Sequence, residues 1–169
     1  MPEPKSHYES RNWLEQLLRR VPGFRGYLEK EYRRDSDALQ RQFLADRLQR
    51  SKRGLDEYAR KLVDAVQISE LPQCDRLRAK LDKLIGRIRG AMQGYSGMFD
   101  LVKVNEGVLD KVYEFDVKLL DQVESLAAGV EQLATSSARP SETLPSLVSQ
   151  VESIEQAWDQ RHDLLKGVD

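Results

Sequence analysis

Residues 105–134 read NEGVLDKVYEFDVKLLDQVESLAAGVEQLA, and apolar side chains recur there at alternating steps of three and four residues. The positions that carry them are Val108, Val112, Phe115, Leu119, Val123, Leu126, Val130 and Leu133. This spacing places one apolar stripe along an α-helix, and such a stripe has to be buried against other helices. The segment therefore predicts a helix over about 105–134 in an all-helical protein.

Similar patterns predict four more helices, separated by short stretches rich in Gly, Pro or Ser. They cover about residues 10–20, 27–68, 74–93 and 143–166. The longest would extend for about 60 Å at 1.5 Å per residue, so an elongated shape is expected. Its inward stripe reads Leu44, Leu48, Leu55, Tyr58 or Ala59, Leu62 and Val66. The predicted fold is all-α, an elongated antiparallel bundle of four or five helices with coiled-coil-like packing.

The length of the chain favours a single domain, with residues 10–166 in the bundle and residues 1–9 as a flexible N-terminus. At 33% charged and 40% apolar residues, the chain is too apolar for disorder and too charged for a membrane protein. No apolar run approaches the roughly 20 residues that span a bilayer, and the N-terminus lacks the apolar core of a secretory signal. A cytoplasmic location is therefore expected.

Few residues in the sequence could carry chemistry. Two histidines and one cysteine cannot assemble the repeated Glu and Glu-x-x-His ligands of dinuclear metal sites in helical bundles. Cys74 has no histidine near it in sequence, which leaves a reactive thiol as the lesser alternative to a structural one. We therefore expect a protein that is not an enzyme and uses no metal or other cofactor. An unrecognised enzyme or metal carrier is the remaining alternative.

Gly86 and Gly90 lie four residues apart inside the predicted third helix. Each costs a helix about 1 kcal/mol relative to Ala when exposed, so something is expected to compensate. Close helix packing or a softened helix end would do so.

The net charge of −1 conceals an asymmetry between the two halves of the chain. Residues 1–92 contain 21 Lys and Arg against 14 Asp and Glu, a net +7, whereas residues 93–169 contain 6 against 14, a net −8. Basic helices packed beside acidic ones would explain this, and an exposed basic surface that meets an anionic membrane is the alternative. The candidate contacts to such a surface are Arg76, Arg78, Lys80, Lys83, Arg87 and Arg89. Nucleic acid is not expected as a partner, because this face has no interleaved aromatic residues.

Two glycine-rich turns interrupt the helices, VPGFRGY at 21–27 and GYSGMFD at 94–100. Glycines adopt positive φ readily, so each turn is expected to have one defined shape. If both turns meet at one end of the bundle, Arg25 would clamp Asp100 or Asp116 beneath aromatic side chains. The alternative is a recognition surface for a partner. The residues concerned are Gly23, Arg25, Gly26, Tyr27, Tyr95, Gly97, Phe99, Asp100 and Asp116.

These turns, with EKEYRRD at 29–35 and LDKVYEFD at 109–116, resemble a family of uncharacterised bacterial helical-bundle proteins. The shared patterns are Pro-Gly-aromatic-Arg-Gly-Tyr and Tyr-x-Gly-x-Phe-Asp, and the resemblance covers about residues 14–134. Met98 stands where that family would have an aromatic or apolar residue. The resemblance brings no activity with it, but it implies a gene neighbourhood shared with flotillin-like membrane-scaffold proteins.

The expected role is a non-enzymatic adaptor or scaffold that uses helical contacts to a protein partner or to a second copy of itself. A membrane-associated assembly is the expected setting. The alternative is a peripheral membrane binder that acts through the basic amphipathic helix 74–93.

Overall fold

A computed structural model describes residues 4–94 and 106–166. Helix accounts for 86% of them, in α1 (Pro4–Arg20), α2 (Lys30–Asp64), α3 (Leu71–Gly94), α4 (Glu106–Gln132) and α5 (Pro140–Lys166). A short 3-10 turn, Ile68–Glu70, precedes α3. The prediction of an all-α bundle is confirmed, and these two ranges contain no strand.

Three helices begin earlier than the apolar pattern predicted. α1 starts at Pro4, inside the segment 1–9 that was expected to be flexible, α3 starts at Leu71 and α5 starts at Pro140. Proline suits the first turn of a helix because its fixed φ is helical and its missing N–H would have no partner there. The sequence pattern placed Pro4 in the flexible N-terminus and Pro140 in the polar stretch before the last helix, although each opens a helix.

Four of the helices form a ring in which α2 and α5 each pack against both α3 and α4. Ion pairs give the relative directions. Arg78 pairs with Asp56 and Arg89 pairs with Asp46, so residue numbers rise along α3 as they fall along α2, and these helices are antiparallel.

The other neighbours in the ring include parallel pairs. Lys80 pairs with Glu152 and Arg87 with Asp159, a constant separation of 72 residues that makes α3 and α5 parallel. α2 and α4 are parallel as well, because the N-terminal part of α2 lies beside the N-terminal part of α4 and residue numbers rise in the same direction along both. The successive pairs α2–α3 and α4–α5 are antiparallel, as predicted, and the ring adds two parallel contacts between helices that do not follow each other in the chain. α1 lies outside the ring, mainly against α4.

One hydrophobic core extends from Leu17 on α1 to Leu165 on α5. The predicted stripes supply most of it, and Leu119 and Leu126 on α4 are both buried. Val66 is the exception: it was predicted to end the stripe of α2, but it is 79% exposed. The reason is that α2 ends at Asp64, so the helical spacing that would turn Val66 towards the core stops before this residue.

Glycines set the closest helix approach at positions that the sequence did not mark. A Cβ at Gly54 would lie 2.6 Å from the Glu131 Cα, so α2 and α4 meet backbone to backbone there. A Cβ at Gly86 or Gly90 would have no neighbour within 4 Å. The expectation that these two glycines permit close packing is wrong, because both face solvent on α3.

Within the described ranges, every helix is too short or too polar to cross a membrane.

Candidate functional site

The core stripes of three helices continue into polar residues at the same end of the bundle. On α2 the stripe runs backward from Leu44 into Arg41, Gln40 and Asp37. Asp116 on α4 and Arg161 on α5 take equivalent inward positions, and all of these side chains are buried. We call Asp37, Arg41, Asp116 and Arg161 the buried charge cluster.

Arg161 is the centre of this cluster. Its Nε lies 2.6 Å from Asp116 Oδ1, and its Nη2 lies 2.7 Å from Asp37 Oδ1. Burial alone would lower the pKa of Arg161, but the two carboxylates outweigh burial and raise that pKa above its ordinary value. The guanidinium therefore stays charged, and it joins α2, α4 and α5 through charge-assisted hydrogen bonds.

Arg41 completes the charge balance. Its Nε lies 2.7 Å from Asp37 Oδ2, one turn earlier on α2. Burial lowers the pKa of Arg41, and the charge of Asp37 opposes that shift. The guanidinium groups of Arg41 and Arg161 lie 5.1 and 5.4 Å from the centroid of the Trp158 ring, which supplies cation–π contacts to both. Two cations and two anions thus neutralise each other inside the bundle.

Tyr27 connects the first glycine-rich turn to the cluster. Its hydroxyl lies 2.5 Å from Asp116 Oδ2 and 2.6 Å from Gln40 Oε1. A hydroxyl has a single proton, so at any moment it donates to one of these two oxygens, and Arg161 Nη2 also donates to Gln40 Oε1 at 3.5 Å. Burial and the charge of Asp116 raise the pKa of Tyr27 well above its ordinary value, which keeps this donor protonated.

The turn itself has the defined shape that its glycines predicted. Gly23 and Gly26 have φ of 81° and 91°, a region that residues with a Cβ rarely adopt. Gly26 also lies under the Tyr113 hydroxyl, which accepts a hydrogen bond from the Tyr27 backbone N–H at 2.8 Å. The rings of Tyr27 and Tyr113 stack at a centroid distance of 5.3 Å.

The predicted clamp between Arg25 and Asp116 is wrong. Asp116 pairs with Arg161, whereas Arg25 is exposed and its guanidinium lies 4.9 Å from the centroid of the Tyr32 ring. The clamp exists with a different cation, Arg161 on α5, and the turn reaches Asp116 through the hydroxyl of Tyr27 instead of through Arg25. The residues of the second turn, Tyr95, Gly97, Phe99 and Asp100, lie outside the described residues, so a pairing of Arg25 with Asp100 stays a prediction.

Sequence reasoning missed Arg161 although a signal was present. Ile154, Trp158, Arg161 and Leu165 follow the same steps of four, three and four residues as the apolar stripes. Asp116 likewise occupies a core step of α4, between Val112 and Leu119 or Leu120. Charged residues at stripe positions on three helices were the available sign of a buried cluster.

The basic face of α3 faces acidic residues of its neighbours. Arg78 and Arg89 pair with α2 carboxylates, and Lys80, Lys83 and Arg87 pair with Glu152, Glu155 and Asp159 on α5. Of the six candidate contacts, Arg76 forms no ion pair within the described residues, and Lys83 and Arg89 stay exposed although they are paired. Ion pairs of Lys80, Lys83 and Arg87 with α5 therefore account for part of the charge asymmetry, whereas the partners of Arg78 and Arg89 lie in the basic half itself.

The residues that sequence reasoning weighed for chemistry are placed for structural roles. Cys74 is buried, and burial raises the pKa of its thiol, so the reactive thiolate is disfavoured. Glu155 and Asp159, which share a face with His162, pair with Lys83 and Arg87. No group of three or more metal-ligating side chains comes together in the part of the chain that the structure describes.

The buried charge cluster is suited to fixing the fold. Its members are covered by the bundle, and each charge already has an opposite charge within 2.7 Å. Such a cluster requires one mutual register of α2, α4 and α5, because any other register would leave a buried charge without its partner. The cluster joins α2, α4 and α5 at one end of the bundle.

A surface groove lies on the opposite, outward side of α4 and α5. Three adjoining depressions of about 350, 320 and 240 Å³ follow the two helices. The first and second share Gln150, and the second and third share Gln122. Ser, Thr and Gln side chains line the groove together with five charged side chains, and the half-buried Phe115 contributes apolar surface beside the buried Leu147 and Ile154. The charged residues are Lys111, Glu114, Lys118, Asp121 and Glu142. We call this surface the α4–α5 groove. From Glu142 to Gln160 it extends for about 27 Å, the length of a five-turn helix.

Comparison of the chain with protein-family models, with curated proteins and with solved structures finds no match.

Proposed function

We propose that this protein is a non-enzymatic adaptor or scaffold that binds a helical segment of a partner protein in the α4–α5 groove. The observation that carries the proposal is the succession of three depressions along α4 and α5, each of which shares a lining residue with the next. A row of open depressions of this length suits a helix laid along it better than it suits a small molecule, which would need one enclosed cavity.

α1 supports this mode of binding, because it shows that α4 accepts an additional helix on its surface. α1 lies against α4 outside the ring, with Leu17 buried and Arg20 Nη1 2.6 Å from Asp121 Oδ1. Asp121 also lies at the edge of the α4–α5 groove. A partner helix in the groove would pack beside α4 much as α1 does, on its other side.

The lining predicts the chemistry of the partner. Serine and glutamine side chains can donate and accept hydrogen bonds, and Phe115 offers a narrow apolar contact above the buried Leu147 and Ile154. A matching helix has one narrow apolar stripe flanked by Ser, Thr, Asn or Gln, and its charges are opposite to those that line the groove. The resemblance to proteins encoded near flotillin-like scaffolds directs the search for this partner to membrane-associated assemblies.

Site-specific photo-crosslinking tests the proposal. A photoreactive phenylalanine analogue is placed at Ser153 or Ser146 in the groove and, as a matched control, at exposed Ala79 on α3. Both groove positions should crosslink to the same protein in the cell, and Ala79 should not. The absence of a crosslink from the groove, or the same product from Ala79, would contradict the proposal.

A further inference from the structure

The turn between α2 and α3 exposes a compact group of aliphatic side chains. Val63, Val66 and Ile68 are 51%, 79% and 58% exposed, three of the five large apolar residues that stand out in this way in the described chain. We call these three residues the apolar tip. Single exposed aliphatic residues are ordinary on a protein surface, but a cluster at a protruding turn marks a contact site more often.

The backbone of the apolar tip is strained at Val66, which has a positive φ in the turn that ends α2. The Gln67 N–H bonds to the Leu62 carbonyl at 2.8 Å, and the Val66 N–H bonds to the Val63 carbonyl at 3.0 Å. This is the Schellman pattern of a helix C-terminus, whose left-handed position is normally glycine. Here that position is Val66, with φ of 61°, the one residue other than glycine with positive φ in the described ranges.

Valine is a poor choice for this position on stability grounds alone. Its branched Cβ clashes with the backbone at positive φ, and at 79% exposure its side chain recovers almost no packing. The turn is nevertheless held in place, because Lys61 Nζ donates a hydrogen bond to the Ala134 carbonyl at the end of α4. Strain that brings no internal contact is expected where the side chain serves an external one.

The charges around the apolar tip indicate which kind of partner it binds. Asp64 and Glu70 flank the tip, and neither forms an ion pair within the described residues. The nearest cation in sequence, Lys61, donates to the Ala134 carbonyl. Anionic lipid would be repelled by these carboxylates, and the tip has no aromatic side chain of the kind that anchors proteins at a membrane interface. A second copy that presented the same tip would bring its own Asp64 and Glu70 against these carboxylates, and like charges repel.

We propose that the apolar tip inserts into an apolar pocket of a partner protein whose rim is basic. The pocket would cover Val66 and Ile68, and its Lys or Arg side chains would meet Asp64 and Glu70. This surface is separate from the α4–α5 groove, so the chain would present two docking surfaces and join two partner elements.

The test places a photoreactive phenylalanine analogue at Val66 in the full chain, expressed in the cell, and maps the crosslinked residue of the captured protein. The expected result is a crosslink in an apolar segment flanked by Lys or Arg. A crosslink to a second copy, to lipid or to a segment without basic flanks overturns the proposal, and so does the absence of a crosslink.

The captured protein, once purified, is then titrated against two variants of this chain. Val66→Gly removes the side chain and the strain, so it should raise the melting temperature while it weakens binding about tenfold, the loss expected for one buried valine. Leu28→Gly, at an exposed leucine far from the tip in sequence, is the control and should leave binding unchanged. Equal affinity of wild type and Val66→Gly overturns the proposal. Vesicles of phosphatidylcholine and phosphatidylserine should not sediment the wild-type chain, and co-sedimentation abolished by Val66→Gly would establish a membrane contact in its place.

Discussion

Replacing Arg161 by methionine should be among the most destabilising single changes in this protein. The substitution keeps an unbranched side chain of similar length but leaves Asp116 without its cation and Asp37 with Arg41 alone. Breaking a buried ion pair by removing one partner costs about 3 to 5 kcal/mol, because the remaining charge stays buried. Since domains unfold at about 5 to 15 kcal/mol, this is a large share of the total free energy of unfolding. The melting temperature should fall by about 10 °C.

Urea denaturation followed by circular dichroism at 222 nm measures the change. The matched control is Arg87→Met, which breaks the ion pair to Asp159, two residues before Arg161 on α5. That pair is partly exposed, so its loss should cost less than about 1 kcal/mol. A double variant with Arg161→Met and Asp116→Leu should recover part of the loss. If Arg161→Met costs no more than the control, the cluster is hydrated and the reasoning from burial is refuted.

Three further predictions test other parts of the account. Gly54→Ala should lower the free energy of unfolding by about 1 to 3 kcal/mol, because the new Cβ would lie 2.6 Å from the α4 backbone. Gly86→Ala should raise the free energy of unfolding by about 1 kcal/mol, because Gly86 lies on an open helix face. Urea titrations of the two variants should show these opposite signs. Cys74 should react with a thiol reagent only as fast as the protein opens, so its rate should rise steeply in urea; rapid labelling of the native protein would contradict the burial of the thiol. The raised pKa of Tyr27 means that the unfolded chain loses its proton first, so the free energy of unfolding should fall as pH rises above about 10, and this slope should be shallower in Tyr27→Phe.

The sequence pattern predicted the helices but not the way they are joined into a bundle. Steps of three and four residues locate α2 to α5 because a buried stripe repeats with the helical period. The parallel contacts of α2 with α4 and of α3 with α5 leave no such local mark, because they depend on which helices are neighbours in space. The same holds for Gly54, whose role depends on the backbone of Glu131.

The candidate site could be predicted only in part from the sequence. The turn around Gly23 and Gly26 has the defined shape that positive φ at glycine predicted, and Asp116 is clamped as expected of it, although by Arg161. Arg25 was preferred as the cation because it lies in the turn, whereas register along α5 decides which guanidinium reaches α4. Val66 was misassigned to the core for a related reason: the Schellman pattern ends α2 at a residue that is not glycine.

The most direct test of the proposed function is the affinity of the crosslinked partner helix for groove variants of this protein, measured by isothermal titration calorimetry. Ser153→Arg places a bulky charge in the α4–α5 groove, and Ala79→Arg places the same side chain on the exposed face of α3. Both variants should keep the wild-type melting temperature. We expect a loss of affinity of about tenfold or more for Ser153→Arg and no change for Ala79→Arg, since a displaced contact of about 1.4 kcal/mol corresponds to a factor of ten. Equal affinities of the two variants would rule out the α4–α5 groove as the binding site.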